Sequence, residues 1–264
     1  MFRTKTPIAW TFHRNSSRWP YNTLRLDENR QETTPFKEIA DAPALPLPPA
    51  AELSTGLSDA IRRRSSCRRF AADGVSLEAL ATILFLAYGN LGITPFAGME
   101  MVTRPVPSGG GLYPLELYVI ALNVLDLPGG IYHYNALDHI LERIREGSVP
   151  ANLLSELFMG QPYVAQSGFV LVLTAVFDRS LWKYEDRGYR YLLFEAGHAA
   201  QNTNLAAASL GLGSVNLGGF FDTDLVSLLQ LDGEEEAPLY GVAIGQPQAG
   251  SPDDLRMPAE PFDF

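Results

Sequence analysis

The stretch DRGYRYLLFEAGHAAQNTNLAAASLGLG, from Asp186 to Gly213, decides how this chain folds. Its pattern predicts one long helix over residues 186–211, with an alanine-rich second half that permits close packing and glycines at its end. Shortly before it, GFVLVLTAVF (168–177) is a continuous apolar run of β-prone residues. That run predicts a strand buried on both faces, as in the middle of a covered sheet.

Further strands and helices surround this pair without a strict alternation of strand and helix. The predicted strands are LELYVIALNV (115–124), the hairpin GIYHYNALDHILERI with its turn at NALD, and PLYGVAIG. The predicted helices are ELSTGLSDAI, SLEALATILFLAYGN with Ser76 as its N-cap, ANLLSELFMGQ and TDLVSLLQL. TPFAGMEMVTRPVPSGGGLYP and SVNLGGFFD are expected to be loops. We therefore predict an α+β fold, a sheet flanked by helices, and not a dinucleotide-binding doubly wound sheet.

Composition divides the chain into three regions. Residues 1–50 are polar and then proline-rich (DAPALPLPPA), which predicts an extended N-terminal arm without a core of its own. Wrapping around a partner subunit is one way to order such an arm. Residues 51–250 form the predicted folded domain, and residues 251–264 form a C-terminal tail.

The overall charge limits the partners of this 264-residue chain. Its net charge is −10, so we expect no non-specific binding to nucleic acid or to anionic membranes. No apolar stretch is long enough for a membrane span, and MFRTKTPIAWTFHRNSSRWP does not resemble a secretory signal. Cys67 is the only cysteine, which fits a reducing cytoplasm, and the four histidines have no metal-ligand spacing.

A basic cluster stands out against this acidic background. RRRSSCRRF places five of the chain's 20 Lys and Arg residues within eight positions. Arg64, Ser66 and Arg68 occupy alternating positions, so an extended segment would point all three side chains one way. Guanidinium groups and a hydroxyl suit a phosphate, and the cluster predicts a small anionic ligand. The alternative is a solvated basic surface.

Two glycine segments allow a ligand to approach the backbone closely. RPVPSGGGLYP, just before a buried strand, suits a flat or bulky group, although a flexible surface loop is the alternative. In SVNLGGFFD, the amides of Gly218 and Gly219 lie beside aromatic residues and suit hydrogen bonds to a flavin edge. A simple turn explains this second segment equally well.

SLWKYEDRGYRY (180–191) combines lysine, arginine and tyrosine within two helical turns. Lys183 and Tyr184 suit a proton transfer, whereas Arg187 with Tyr184 and Tyr191 also suits purely structural cation–π contacts. Gly188 costs about 1 kcal/mol relative to alanine inside a helix. Its presence favours a helix start or a close approach at this point.

The order of these segments resembles that of the FMN-dependent nitroreductase family: R-S-S-x-R-x-F, then P-S-G-G, a helix, and x-G-G-F-x-D. FHRNSSRWPYNT, PSGGGLYPLELYVI, GIYHYNALDHILERI and KYEDRGYRYLLFEAGHAAQNTNLAAASLGLGS narrow the resemblance to its SagB-type branch, the McbC-like azoline dehydrogenases. The likeness extends from about residue 10 to about residue 247.

The resemblance implies a nitroreductase-like fold with a mixed, mostly antiparallel sheet, an intertwined homodimer, and FMN at the subunit interface. The residues that match the family's FMN-binding segments are Arg64, Ser65, Ser66, Arg68, Pro107, Ser108, Gly109, Gly218 and Gly219. The chain departs from many nitroreductases near its C-terminus, where AIGQPQAG offers Gln246 and no basic pair for the phosphate.

In this branch a Lys-Tyr pair is catalytic, which implies that Lys183 is a base assisted by Tyr184. The implied reaction dehydrogenates a peptide thiazoline or oxazoline to the azole, with hydride passing to FMN and dioxygen as oxidant. A cyclodehydratase or a carrier protein would present the substrate. We expect Arg187 and Arg190 to lower the pKa of Lys183 from about 10.4, with Asp186 opposing them. His198, Gln201 and Asn202 are further candidates for the site lining.

Two other functions stay open at the sequence level. One is a nitro or quinone reductase that draws hydride from NAD(P)H and needs no Lys-Tyr pair. The other is a flavin-binding scaffold subunit that acts only within a peptide-modifying complex.

Overall fold

The computed structural model describes residues 2–17, 34–96 and 98–249. The predicted C-terminal tail at 251–264 lies outside these residues, as does the second half of FHRNSSRWPYNT. The first residues differ from the predicted extended arm, because Phe2–Lys5 (α1) and Pro7–Asn15 (α2) are helical. Pro7 fits the first turn of α2, where its missing N–H is harmless. Residues 34–50 are extended and contribute a short strand, Ala44–Pro46 (β1).

A seven-stranded sheet forms the centre of the molecule, in the order β1-β6-β5-β4-β7-β9-β8. Every pair of neighbouring strands is antiparallel, and two isolated parallel bridges, Ser66–Ser214 and Val75–Val124, make the pattern mixed. The remaining strands of this sheet are β4 Leu115–Ala121, β5 Gly130–Asn135, β6 Ile140–Glu146, β7 Phe169–Val176, β8 Gly213–Leu217 and β9 Glu236–Gly245. The predicted α+β fold with a mostly antiparallel sheet is confirmed.

Helices cover both faces of the sheet. On one face lie Leu77–Tyr88 (α4) and the predicted long helix, Asp186–Ser209 (α7), which pack against each other and on alternate residues of β4, β7 and β9. Ser76 caps α4 by accepting a hydrogen bond from the Ala79 amide. The other face carries Ala151–Leu157 (α5) and Asp222–Leu228 (α8). Strand β7 is buried on both faces along nearly its whole length, as predicted.

Two of the segments predicted to be loops contain strands. Within TPFAGMEMVTRPVPSGGGLYP, Gly92–Phe96 (β2) and Met99–Thr103 (β3) pair as a separate hairpin, and the loop begins only after β3. Within SVNLGGFFD, the residues before Gly218 belong to β8, which is flanked by glycines and is too short to stand out in the sequence. This edge strand is stabilised by its pairing with β9.

A buried ionic cluster ties the central sheet to the helix Asp178–Tyr184 (α6). One more helix, Leu57–Arg63 (α3), takes no part in this cluster. His133 on β5 hydrogen-bonds Glu116 (2.9 Å) and Glu142 (2.8 Å), and Arg179 on α6 forms an ion pair with Glu116 at 2.6 Å. Burial alone would lower the pKa of His133, but its hydrogen bonds to the two carboxylates raise it above the ordinary value. Arg179 also donates to the backbone oxygen of Tyr113, so the cluster fixes α6 against the start of β4.

Candidate active site

The glycine loop, Pro107–Gly111, is shaped by glycine-specific backbone angles. Gly110 and Gly111 have φ values of 70° and 66°, in the left-handed region that favours glycine. The Ser108 hydroxyl oxygen accepts a hydrogen bond from the Tyr113 amide at 2.9 Å, which fixes the turn from inside. The result is a bare stretch of backbone on a fixed turn.

Lys183 and Tyr184, at the end of α6, lie against this glycine loop. A β-carbon added to Gly110 would come within 2.6 Å of the Tyr184 hydroxyl oxygen and 2.9 Å of Lys183 Nζ. A β-carbon added to Gly109 would lie 3.1 Å from the Tyr191 ring. The fold therefore brings the Lys-Tyr pair and the PSGGG segment, more than 70 positions apart in sequence, to one place.

The junction between α6 and α7 sets the position of the pair. Glu185 has φ 50° and ψ −146°, a strained combination for a residue with a side chain. Just beyond it, Gly188 is buried, and a β-carbon there would lie 2.9 Å from Leu181 Cδ2 and 3.3 Å from Tyr184 Cβ. Gly188 thus serves a close approach of α7 to α6, one of the two explanations that its sequence position suggested.

The aromatic surroundings of the pair keep Tyr184 neutral. The Tyr184 and Tyr191 rings meet edge to face at 4.9 Å, and Lys183 Nζ lies 5.5 Å from the Tyr184 ring centre. Burial, and next Tyr191, raise the pKa of Tyr184 above its ordinary value. Tyr184 is therefore a hydrogen-bond donor at neutral pH.

The two arginines that follow the pair are directed towards α2. Arg187 donates to the backbone oxygen of Ser16 at 3.2 Å and lies 5.8 Å from the Tyr191 ring centre. Arg190 donates to the Ser16 hydroxyl at 2.8 Å and to the His13 backbone oxygen at 2.7 Å. These hydrogen bonds hold α2 against α7. Arg187 also makes the structural cation–π contact with Tyr191 that was the alternative to a role in proton transfer. The effect of the arginines on Lys183 stays a prediction.

Behind the glycine loop lies a buried carboxyl group that the sequence did not single out. Glu195 on α7 is 2% exposed and accepts a hydrogen bond from the Tyr88 hydroxyl at 2.5 Å, with the Ser108 hydroxyl nearby. The Tyr88 oxygen in turn accepts the Leu115 amide at 3.1 Å. Burial, partly offset by the Ser108 and Tyr88 hydroxyls and by Arg104, raises the pKa of Glu195 to about 7.

Two of the predicted phosphate-binding residues line a separate cleft of about 200 Å³. Arg64 and Ser65 face it together with Arg63, Gly211, Gly213 and Ser214. The segment is held in place because the Cys67 amide donates to the Ser214 oxygen at 2.9 Å. Ser66 and Arg68 are not among the lining residues, and Arg63, which the alternating pattern omitted, takes a place in the lining.

Gly218 and Gly219 follow the strand that starts at this cleft. From Ser214 to Gly218 the chain advances four residues along and beyond β8, which is about 13 Å. Gly218 is exposed, and a β-carbon on Gly219 would come within 2.7 Å of Met159 Sδ. β8 therefore leads from the arginine cleft to the second glycine pair.

The arginine cleft and the glycine loop lie far apart within one chain. Ala208 lines the cleft and Tyr191 lies at the loop, so 17 residues of α7 separate them, or about 25 Å along the helix axis. Between them, His198 and Gln201 are exposed. Asn202 donates to the backbone oxygens of Leu86 and Pro105 and so supports the segment that leads into the loop.

The exposed side of α7 is partly apolar. Leu193 is 44% and Phe194 55% exposed. A second cleft, of about 310 Å³, lies beside Asn202 and is lined mostly by apolar residues: Leu53, Leu57, Ala60, Leu86, Pro105, Leu205 and Ala206. This side of the molecule thus offers an apolar surface next to both groups of predicted site residues.

The sequence profile of the nitroreductase family matches residues 61–246, which is most of the chain. The chain belongs to the nitroreductase family. Within this family, a Methanocaldococcus jannaschii protein assigned to the nitroreductases, MJ1384, is 35% identical over 208 residues, which cover 79% of this chain and 98% of the relative.

Two further comparisons concern one branch of the nitroreductase family. The microcin B17-processing protein McbC of Escherichia coli is 34% identical over 142 residues, so the aligned part spans 52% of this chain and 52% of McbC. A chain of the E. coli microcin synthetase McbBCD complex with truncated pro-MccB17 bound superposes with a TM-score of 0.60 and 26% identity, over 92% of both chains. The predicted resemblance to the McbC-like branch is confirmed.

The described ranges contain neither a membrane-spanning helix nor a metal-binding cluster. Neither α7 nor any shorter helix in residues 2–17, 34–96 and 98–249 is long and apolar enough to cross a bilayer. Within the same residues, no group of three or more His, Cys, Asp or Glu side chains is placed to hold a metal ion.

Proposed function

We propose that the protein is an FMN-dependent oxidoreductase that converts thiazoline or oxazoline rings in peptides to thiazoles or oxazoles. Membership of the nitroreductase family supports a flavin oxidoreductase. The likeness to the microcin B17-processing protein supports a modified peptide as substrate. The observation that carries the proposal is the contact of Lys183 and Tyr184 with the glycine loop, because a lysine amine and a tyrosine hydroxyl beside a backbone open to a flat ring suit the roles of base and donor.

The described residues fit FMN at both ends of that molecule. The arginine cleft offers Arg63, Arg64 and Ser65 with backbone from Gly211 and Gly213, a donor set suited to a phosphate. No Lys or Arg occurs between residues 236 and 249, so the phosphate relies on the N-terminal arginines. The glycine loop and Gly218–Gly219 expose bare backbone suited to the ring.

We infer that a second copy of the chain completes the site. The arginine cleft lies about 25 Å along α7 from the glycine loop, which is longer than an extended FMN molecule. This spacing supports a site that is shared between two copies, with the FMN phosphate at Arg64 of one copy and its ring at the loop of the other. A homodimer in which Leu193, Phe194 and the apolar cleft are covered would bring the loop of one copy to the cleft of the other.

Aromatisation removes a hydride and a proton from adjacent atoms of the azoline ring. Bound FMN supplies the hydride acceptor. Lys183 takes the proton onto Nζ, in its neutral form, so it must lose its own proton before each turnover. Tyr184, neutral and a donor, holds the Lys183 amine or the substrate heteroatom in place. Arg179 positions the pair indirectly, because its ion pair with Glu116 anchors α6.

The experiment compares Lys183→Ala with the matched control Lys5→Ala, which changes an exposed lysine on α1. Each purified protein is loaded with FMN and supplied with a synthetic azoline peptide. We expect Lys183→Ala to keep FMN but to lose azole formation, measured as the loss of two hydrogens by mass spectrometry. Full turnover by Lys183→Ala would refute the role of Lys183, and failure of both proteins to bind FMN would refute the cofactor.

A second candidate function is an NAD(P)H-dependent nitro or quinone reductase. The likeness to MJ1384 favours this function, because the alignment covers 98% of MJ1384. Such an enzyme does not need Lys183. Rapid bleaching of the flavin by NADPH, with full activity in Lys183→Ala, would establish this function in place of azoline oxidation.

The match to a chain of the McbBCD complex favours a role within a larger assembly. In that case a cyclodehydratase or a carrier protein presents the azoline. The test is the same peptide assay with and without the cyclodehydratase, and turnover that depends wholly on the added partner would identify a complex-dependent subunit.

A further inference from the structure

We propose that Asn216 binds the hydroxyl groups of the ribityl chain, the linker that joins the phosphate of FMN to its ring. The proposal rests on the proposed function, because it takes FMN to be the ligand of the arginine cleft. It starts from the side chains of β8, the strand that leads from this cleft to Gly218.

The side chains of β8 alternate between the two faces of the sheet. Val215 and Leu217 point into the core on the face that carries α5 and α8. Ser214 and Asn216 therefore point to the face that carries α7, and Gly218 continues their line. Ser214 lines the arginine cleft. Asn216 thus lies two residues, about 7 Å, from Ser214 and the same distance from Gly218.

A polar row of four side chains fixes the orientation of the Asn216 amide. The Ser214 hydroxyl donates to Asn204 Oδ1, and Asn204 Nδ2 donates to Asn216 Oδ1, both at 2.9 Å. Asn216 Nδ2 donates to the Tyr240 hydroxyl oxygen, also at 2.9 Å. A β-carbon added to Gly218 would lie 3.7 Å from Tyr240 Cε2. The polar row therefore extends from the arginine cleft to Gly218.

Asn216 is exposed, which is an unusual place for an amide held from two sides. Asn204 and Ser214 are 3% and 4% exposed, so their hydrogen bonds satisfy buried polar groups. Water could serve the exposed Asn216 equally well. Asparagine is also depleted in strands, and fixing its side chain costs conformational entropy. Binding of a ligand gives the arrangement a purpose, because an amide oriented in advance loses less entropy on binding.

The remaining hydrogen-bonding capacity of Asn216 matches a hydroxyl group. Within the described ranges, its side chain uses one of two amide hydrogens and one of two carbonyl lone pairs. Reversing the direction of the whole polar row leaves the same capacity. One donor beside one acceptor suits a hydroxyl, which both donates and accepts. The ribityl chain carries hydroxyls on successive carbons, between the phosphate suited to the cleft and the ring suited to Gly218 and Gly219.

The test compares FMN with a synthetic flavin that carries its phosphate on an unsubstituted pentyl chain. This pentyl flavin keeps the ring, the phosphate and the linker length, and lacks only the hydroxyls. Fluorescence quenching measures the Kd of apo-protein for each flavin. For the natural sequence, we expect the pentyl flavin to bind roughly tenfold more weakly than FMN.

Asn216→Ala should weaken the binding of FMN by roughly tenfold and leave the pentyl flavin nearly unaffected. Any displacement of Asn204 in this variant acts on both flavins alike and cancels in the ratio of their Kd values. Asn152→Ala, which changes an exposed asparagine on α5, is the matched control and should leave both Kd values unchanged.

The ratio of the two Kd values decides the proposal. If Asn216→Ala keeps the ratio of the natural sequence, the amide does not contact the hydroxyls and the proposal is overturned. Should that variant not fold, Asn216→Val, which introduces a strand-forming residue, replaces it with the same expected ratios. Failure of the natural sequence to bind either flavin would instead refute the proposed cofactor.

Discussion

The stability of the apo-protein should respond to pH through Glu195. Its pKa is about 7 in the folded protein, against an ordinary value of 4.5. The sign follows from proton counting: between these two values the folded state binds more protons than the unfolded state, so the free energy of unfolding falls as pH rises. Each unit corresponds to about 1.4 kcal/mol, and the total loss amounts to about 3 kcal/mol, complete above pH 7.

Glu195→Gln removes this loss, because the amide stays neutral. Relative to the natural sequence, the variant should therefore become more stable by about 3 kcal/mol between pH 4.5 and pH 8. Any constant effect of the amide on the Tyr88 hydrogen bond cancels in this comparison. The measurement is urea unfolding of both apo-proteins at several pH values, followed by circular dichroism.

Glu156→Gln, which changes an exposed carboxyl on α5, serves as the matched control and should leave the pH dependence of the natural sequence intact. A stability difference between Glu195→Gln and the natural sequence that is the same at pH 4.5 and at pH 8 would refute the reasoning. It would mean that the buried carboxyl ionises without opposition.

Three more substitutions test other parts of the structure. Gly188→Ala should reduce azole formation more than it reduces the free energy of unfolding. The added methyl pushes against Leu181 and displaces Tyr184, whereas alanine stabilises the helix by about 1 kcal/mol relative to glycine. Kinetics and urea unfolding measure the two effects separately. Arg64→Ala should weaken FMN binding by roughly tenfold or more, measured by fluorescence, whereas equal affinity would contradict the phosphate assignment. His133→Asn should lower the free energy of unfolding by about 1–3 kcal/mol, because two buried carboxylates lose the ring that hydrogen-bonds both of them; thermal unfolding near the midpoint of the natural sequence would contradict it.

The elements with a strong sequence signal were predictable, and those that depend on tertiary contacts were not. The long helix α7, the buried strand β7 and the β5–β6 hairpin follow from periodicity and from continuous apolar runs. The edge strand β8 is a short glycine-flanked segment that exists through its pairing with β9, and α2 is ordered by arginines of α7.

The site residues also fall into those that a sequence pattern indicated and those that depend on tertiary contacts. The family resemblance marked Lys183 and the glycine loop as site residues, but their contact was not predictable, because the two segments are distant in sequence and no local pattern joins them. Glu195 gave no signal, since a lone glutamate within a helix usually faces solvent. Its burial becomes visible only when α4 and the segment after β3 close over it. Arg179 was missed because arginines, like glutamates, are mostly exposed.

The separation of the arginine cleft from the glycine loop has a genetic consequence. If each site takes Arg64 from one copy and Lys183 from the other, then at limiting FMN a chain lacking Arg64 and a chain lacking Lys183 are both inactive alone. A mixed dimer of the two carries one site with both defects and one site with neither. Refolding the two inactive chains together should therefore restore activity at about a quarter of the sites, as random pairing requires. Intersubunit complementation of this kind would be impossible for a site contained in one chain.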